Sequence, residues 1–128
     1  MPAIRVLIVD DGAQVRRDLR TLLALAGSEN QPRIEIVGEA ANGLEAVRLA
    51  GVLQPEVVLM DLEMPVMDGY QAARQIKALC PETRLIALTV HDYPAARQGA
   101  LQAGMEGFIV KGASVETLFE AVLSCSSE

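Results

Sequence analysis

Asp61 follows four apolar residues and precedes a turn containing proline and glycine, in the stretch VVLMDLEMPVMDG. A branched apolar run this short reads as a strand covered on both faces. A carboxylate inside it would be costly to bury. At the carboxyl end the acid emerges into the crevice where open α/β sheets bind ligands. Asp10 and Asp11 follow the run IRVLIV, Thr89 follows LIAL and Lys111 follows GFIV, so four such ends carry polar chemistry. Each is weak evidence alone, because Asp-Gly after a strand usually makes a turn and a lysine at a strand end is usually a solvated charge. Their convergence is the signal.

Three carboxylates in one crevice repel, and a pair about 4 Å apart costs on the order of 4 kcal/mol at an effective dielectric of about 20. Something cationic belongs there. An all-oxygen donor set with room for water fits Mg²⁺, or Mn²⁺, rather than zinc or copper. Asp11 and Asp61 are the expected direct ligands. Asp10 joins them, through water or directly, and the backbone carbonyl of Glu63 completes the set. A carboxylate held beside such an ion is placed to attack phosphorus, which makes Asp61 a candidate nucleophile forming an aspartyl-phosphate. Lys111 then supplies a point charge for one phosphoryl oxygen and Thr89 a hydroxyl donor for another.

Five strands must position these residues, at 4–9, 34–37, 57–60, 85–88 and 108–110, each a short apolar, mostly branched run. Helical spacing fills the gaps. It is clearest in Val15, Leu19, Leu22, Leu23 and Ala26, and in Val115, Leu118, Phe119, Val122 and Leu123. A second helix is capped by Asn42 and runs through Leu44, Val47 and Leu53 to Pro55. A third follows Asp68, turns Ala72, Ala73 and Ile76 inward and stops by Pro81. The fourth, about 94–103, offers only small residues as an inner face: Ala95, Ala96, Gly99, Ala100 and Ala103. Strict alternation implies a flavodoxin-like (βα)5 three-layer sandwich, with a parallel five-stranded sheet in order 2-1-3-4-5. Residues 27–33, GSENQPR, read as a polar loop, and residues 124–128 as a frayed tail or the start of a linker.

The chain has 128 residues, enough for one domain, expected over 1–128. Hydrophobic residues make up 51% and aromatics 3%, so Leu, Val, Ile, Ala and Met must build the core. Seventeen acidic against eleven basic residues give a formal charge of −6, which opposes direct nucleic-acid binding. Arg16, Arg17 and Arg20 read as an ordinary solvated helix face. Two distant cysteines, Cys80 and Cys125, make neither a disulfide framework nor a zinc site. The opening MPAIRVLIVD does not read as a leader, and no apolar run has spanning length, so a soluble, cytoplasmic protein away from membranes is expected.

The segments DD at Asp10, MDLEMPVMDG around Asp61, ALTV at Thr89 and GFIVKG around Lys111 resemble bacterial two-component receiver domains. The resemblance spans essentially the whole chain. It implies phosphotransfer from a sensor histidine kinase or phosphotransfer protein to Asp61, an acidic metal pair at Asp10 and Asp11, a switch hydroxyl at Thr89 and a phosphate-binding lysine at Lys111. The switch aromatic falls on Phe108, where many members carry tyrosine. Gly112 stands where many have proline, implying a trans, more pliable loop, and Val90 stands where a small residue is common. The segments TVHD and VKGAS resemble receivers attached to a helix-turn-helix DNA-binding domain, implying a transcriptional output through a unit outside these residues. Self-association would use the face of helix 4, strand 5 and helix 5, or that of helices 1 and 5.

Two rival readings share the topology. A small Mg²⁺-dependent aspartyl-phosphate phosphatase would use a second acid two residues after its nucleophile, where Glu63 stands. A flavin-binding domain lacks here the aromatic residues that would sandwich the cofactor. His91, the only histidine, reads as a rim residue without a proton-transfer task.

Overall fold

Short β-branched runs make the strands, and the amphipathic segments between them close over both faces of one sheet. The computed structural model describes residues 3–25 and 32–126, with side chains to residue 124. In chain order these are β1 (Ile4–Val9), α1 (Ala13–Leu25), β2 (Ile34–Ala40), α2 (Gly43–Leu53), β3 (Val57–Asp61), α3 (Gly69–Leu79), β4 (Arg84–Thr89), α4 (Pro94–Gln102), β5 (Gly107–Val110) and α5 (Val115–Ser126). The strands are all parallel, in order β2-β1-β3-β4-β5, as the alternation implies. Asn42 caps α2 by accepting from Glu45 N at 2.9 Å, and Asp68 caps α3 by accepting from Gln71 N at 2.9 Å.

The period-2 alternation of each strand divides the core in two. Leu7, Val9, Val58, Met60, Leu85 and Ala87 face α2, α3 and the buried Ala100 and Ala103 around α4. Val6, Ile8, Leu59, Leu88 and Ile109 face Leu23 of α1 and Leu118 and Val122 of α5. Every residue of β3 is buried, which is why its sequence does not alternate. Both layers therefore hold β3 rigid, and Asp61 is its last residue.

Several boundaries and faces differ from the sequence reading. β2 continues past residue 37 to Ala40 because a bulge lets Gly38, Glu39 and Ala40 keep pairing with β1. Leu44 is exposed on the first turn of α2, and Leu22 is exposed on α1 although its spacing matches the apolar stripe. On α4 only Ala100 is fully buried, Ala95 is exposed, and Tyr93 at the N-cap position makes no side-chain capping bond. Ala26 and residues 27–31 of the expected polar loop lie outside the described residues, as does the Cys125 side chain.

Glu106 ties the opposite end of the sheet together. Its Oε1 accepts from Leu85 N at 3.0 Å, and its Oε2 meets Lys77 Nζ at 2.7 Å and Arg84 Nη1 at 3.4 Å. Burial pushes its carboxyl up. The Leu85 amide, Lys77 and Arg84 outweigh that and hold it below the ordinary glutamate value.

Candidate functional site

Parallel strands that end together put their last residues on one edge. Asp10 lies just past β1, while Asp61 and Thr89 close β3 and β4, and Lys111 follows β5. Asp10 is 1% exposed and Asp61 4%, whereas Asp11 faces solvent. Oxygens of all three carboxylates lie within 4.8 Å of one another. The edge thus gathers the acids singled out by sequence.

Each buried carboxylate has one oxygen fixed by the backbone two residues on. Gly12 N donates to Asp10 Oδ1 at 2.8 Å and Glu63 N to Asp61 Oδ1 at 3.1 Å. The other oxygens face Lys111, whose Nζ stands 2.7 Å from Asp10 Oδ2 and 3.2 Å from Asp61 Oδ2. Apart from this ion pair, Asp10 Oδ2 is a buried oxygen with no hydrogen-bond partner. Burial pushes the Asp61 carboxyl up; the Glu63 amide pulls it down, the Asp10 charge adds to the rise, and Lys111 opposes it. Burial would lower the Lys111 ammonium, yet Asp10 and Asp61 win and raise it. Lys111 thus supplies part of the positive charge that the acids demand.

This donor set suits a hard divalent cation. It offers oxygens only, one acid open to solvent, and a buried carboxylate oxygen with unused acceptor capacity. Among the described residues, this is the group of three acids close enough to share an ion.

Thr89 is buried at the same edge, but its hydroxyl is engaged in its own loop: it donates to His91 O at 3.2 Å and accepts from His91 N at 3.0 Å. Phe108 is half-buried against the core under α2, α3 and α4. The Arg97 guanidinium lies 4.5 Å from the centre of its ring, and Arg97 in turn grips Asp92 with bonds of 2.6 and 3.2 Å. Sequence reasoning missed this cap, because a lone arginine on a weakly patterned helix carries no contact signal. His91 is exposed and stacks on Tyr93, as a rim residue would. Gly112 adopts φ 92°, no described peptide bond is cis, and Val90 points to solvent.

The three arginines of α1 are not a uniform solvated face. Arg16 donates to the Asp10 carbonyl oxygen at 2.6 Å and pairs with Glu39 at 3.0 Å, and Arg20 shares Glu39 at 2.9 Å. Only the unexpected extension of β2 brings Glu39 within reach.

A family model described as the response regulator receiver domain matches residues 6–123. The transcriptional regulatory protein YdfI of Bacillus subtilis (strain 168) is 41% identical over 118 residues, covering 92% of this chain and 53% of the relative. A protein-glutamate methylesterase/protein-glutamine glutaminase of Aliivibrio fischeri is 42% identical over 110 residues, covering 85% of this chain but 28% of that enzyme. Among solved structures, the receiver domain of the putative response regulator NarL from Mycobacterium tuberculosis superposes with a TM-score of 0.89 at 35% identity, covering 98% of both chains. The chain spans about half the length of its transcriptional relatives and about a quarter of the methylesterase.

Proposed function

The chain belongs to the response regulator receiver family, and from that membership and the geometry of the sheet edge we propose that Asp61 is its phosphoacceptor. A carboxylate oxygen of Asp61 attacks the phosphorus of a phosphohistidine on a sensor kinase or phosphotransfer protein. The new O–P bond forms as the P–N bond breaks, and the ring nitrogen leaves with the electron pair. Lys111, already 3.2 Å from Asp61 Oδ2, receives a phosphoryl oxygen. The observation that carries this reading is the buried acid at the tip of a fully buried strand, with an ammonium and two further acids around it.

Mg²⁺ would be held by Asp10, Asp11, Asp61 and the backbone carbonyl of Glu63; when bound, it supplies charge neutralisation for the transferring group. Thr89 would trade its bonds to His91 for one to the phosphoryl group. Phe108 then moves into the vacated space and away from Arg97, which loosens α4 from β5. Shifting such an equilibrium from 1:99 to 99:1 takes about 5.5 kcal/mol, on the scale of a few charge-assisted hydrogen bonds.

The relatives named as transcriptional regulators support an output unit that binds DNA, in a cytoplasmic protein whose receiver unit occupies 1–128. The receiver itself is a switch that promotes its own phosphorylation and dephosphorylation rather than an enzyme acting on an outside substrate. Among the described residues no helix is long and apolar enough to cross a membrane. Both faces proposed for self-association carry exposed apolar side chains, Leu22 and Leu25 on α1 and Leu101 on α4. The phosphatase reading is not favoured, because the family match over residues 6–123 takes in part or all of each of the five strands and Glu63 is exposed.

Intact-mass measurement after incubation with Mg²⁺ and acetyl phosphate tests the proposal. The parent should gain one phosphoryl group, and Asp61→Asn none. Equal labelling of both would reassign the acceptor.

A further inference from the structure

Asp10 is held at three points. Its N–H donates to Ala40 O at 3.0 Å, its Oδ1 accepts from Gly12 N, and its carbonyl accepts from Arg16 at 2.6 Å. Arg16 is 18% exposed on its side chain, and its planar fork has a second arm on Glu39 at 3.0 Å. Glu39 is in reach because of the bulge in β2. Register passes from Val6↔Ile36 to Leu7↔Gly38, so Val37 is the extra residue and the alternation beyond it reverses. Ile36 packs toward α1 and α5 while Ala40 packs toward α2, and Glu39 between them turns to α1. If the strand alternated regularly through Val37, with no bulge, Glu39 would face α2.

We propose that Arg16, braced by Glu39, is a positioning residue for cation uptake: it fixes the main chain of the turn that aims the Asp10 and Asp11 carboxylates. This rests on the receiver reading and adds to it a residue pair that touches neither the ion nor the phosphoryl group. Glu39, shared with Arg20, offsets part of the guanidinium charge and so limits the positive charge that the brace brings beside a cation site. A purely structural role would tie α1 to β2 and leave the acids indifferent to how Arg16 is replaced.

Calorimetric titration with MgCl2, paired with thermal unfolding in its absence, separates the two. Arg16→Lys keeps the charge but cannot reach Asp10 O and Glu39 with one planar group. It should weaken Mg²⁺ binding about tenfold, in the range for lost outer-shell partners, with the unfolding temperature little changed. Glu39→Gln, which leaves the bond to Asp10 in place, should weaken binding less and carries the test if the lysine variant fails to fold. Binding by the variants within about twofold of the parent would overturn the positioning role alone. A parent that takes up no Mg²⁺ would overturn the receiver reading and the positioning role together.

Discussion

Replacing Lys111 by methionine removes the only cation within 4.0 Å of the Asp10 and Asp61 carboxylate oxygens among the described residues. At separations of 2.7 and 3.2 Å and an effective dielectric of about 20, the lost attractions are about 6 and about 5 kcal/mol. The desolvation of three charged groups already offsets most of that, and removing one partner of a buried set costs about 3–5 kcal/mol net. Protonation sets a ceiling. An aspartate with the ordinary value of 3.8 takes up a proton for about 4 kcal/mol at about pH 7 and about 1.6 kcal/mol at about pH 5, and Asp61 needs less because burial already raises it. Lys111→Met is therefore expected to lose about 2–4 kcal/mol at about pH 7, about 10 °C in Tm, and about 1 kcal/mol at about pH 5. The sign follows from linkage: the unpaired carboxyl has a folded-state pKa above its unfolded value, so the variant gains on the parent as pH falls. Circular-dichroism melts of both proteins across this range, with and without saturating MgCl2, read the deficit directly. It should shrink in acid and also shrink with Mg²⁺. A deficit that stays constant with pH, or no deficit at all, would refute the electrostatic role given to Lys111.

Other expectations follow from particular contacts. A Cβ on Gly69 would collide with the backbone carbonyl of Asp61, which cannot swing aside, so Gly69→Ala should cost about 3 kcal/mol or more in chemical denaturation; on Gly51 it meets nothing, so Gly51→Ala should gain about 0.5–1 kcal/mol. Arg97→Ala removes the cap on Phe108 and should raise the population of the displaced ring about two- to fivefold, seen as NMR shifts at Phe108 before any phosphoryl analogue is added; unchanged shifts would sever Arg97 from the switch. Glu106 sits below its ordinary 4.5 because the Leu85 amide, Lys77 and Arg84 outweigh its burial. Its stabilisation is therefore present above that value and lost as pH falls through the folded-state value. Glu106→Gln should trail the parent by about 1–3 kcal/mol near neutrality, a gap that closes in acid in pH-dependent unfolding curves.

Strand order and four of the site positions were legible because a parallel sheet leaves little freedom. Five apolar runs separated by helical spacing admit few topologies, and residues ending those runs must share an edge. Asp61 could be placed from its neighbours alone. Features set by pairing and not by period were hidden. The β2 bulge is marked in IEIVGEA only by Gly38, which reads equally as the end of the strand, so the meeting of Glu39 with Arg16 went unread and three arginines on one helix looked uniformly solvated. Val66 adopts φ 71°, unusual for a branched residue, inside a stretch recognised only as a turn. Leu44 and Leu22 kept the apolar spacing and yet face solvent, since period shows which stripe a helix buries but not how far the stripe reaches.

By the proposed chemistry one carboxylate at the end of β3, rather than its acidic neighbours, carries the phosphoryl group. Borohydride reduces an aspartyl-phosphate to homoserine, so peptide mapping after Mg²⁺, acetyl phosphate and borohydride marks the acceptor by mass. Homoserine at position 61 alone is the expected result. Homoserine at Asp10 or Asp11, or no conversion at position 61 in a protein that has gained a phosphoryl group, would contradict it.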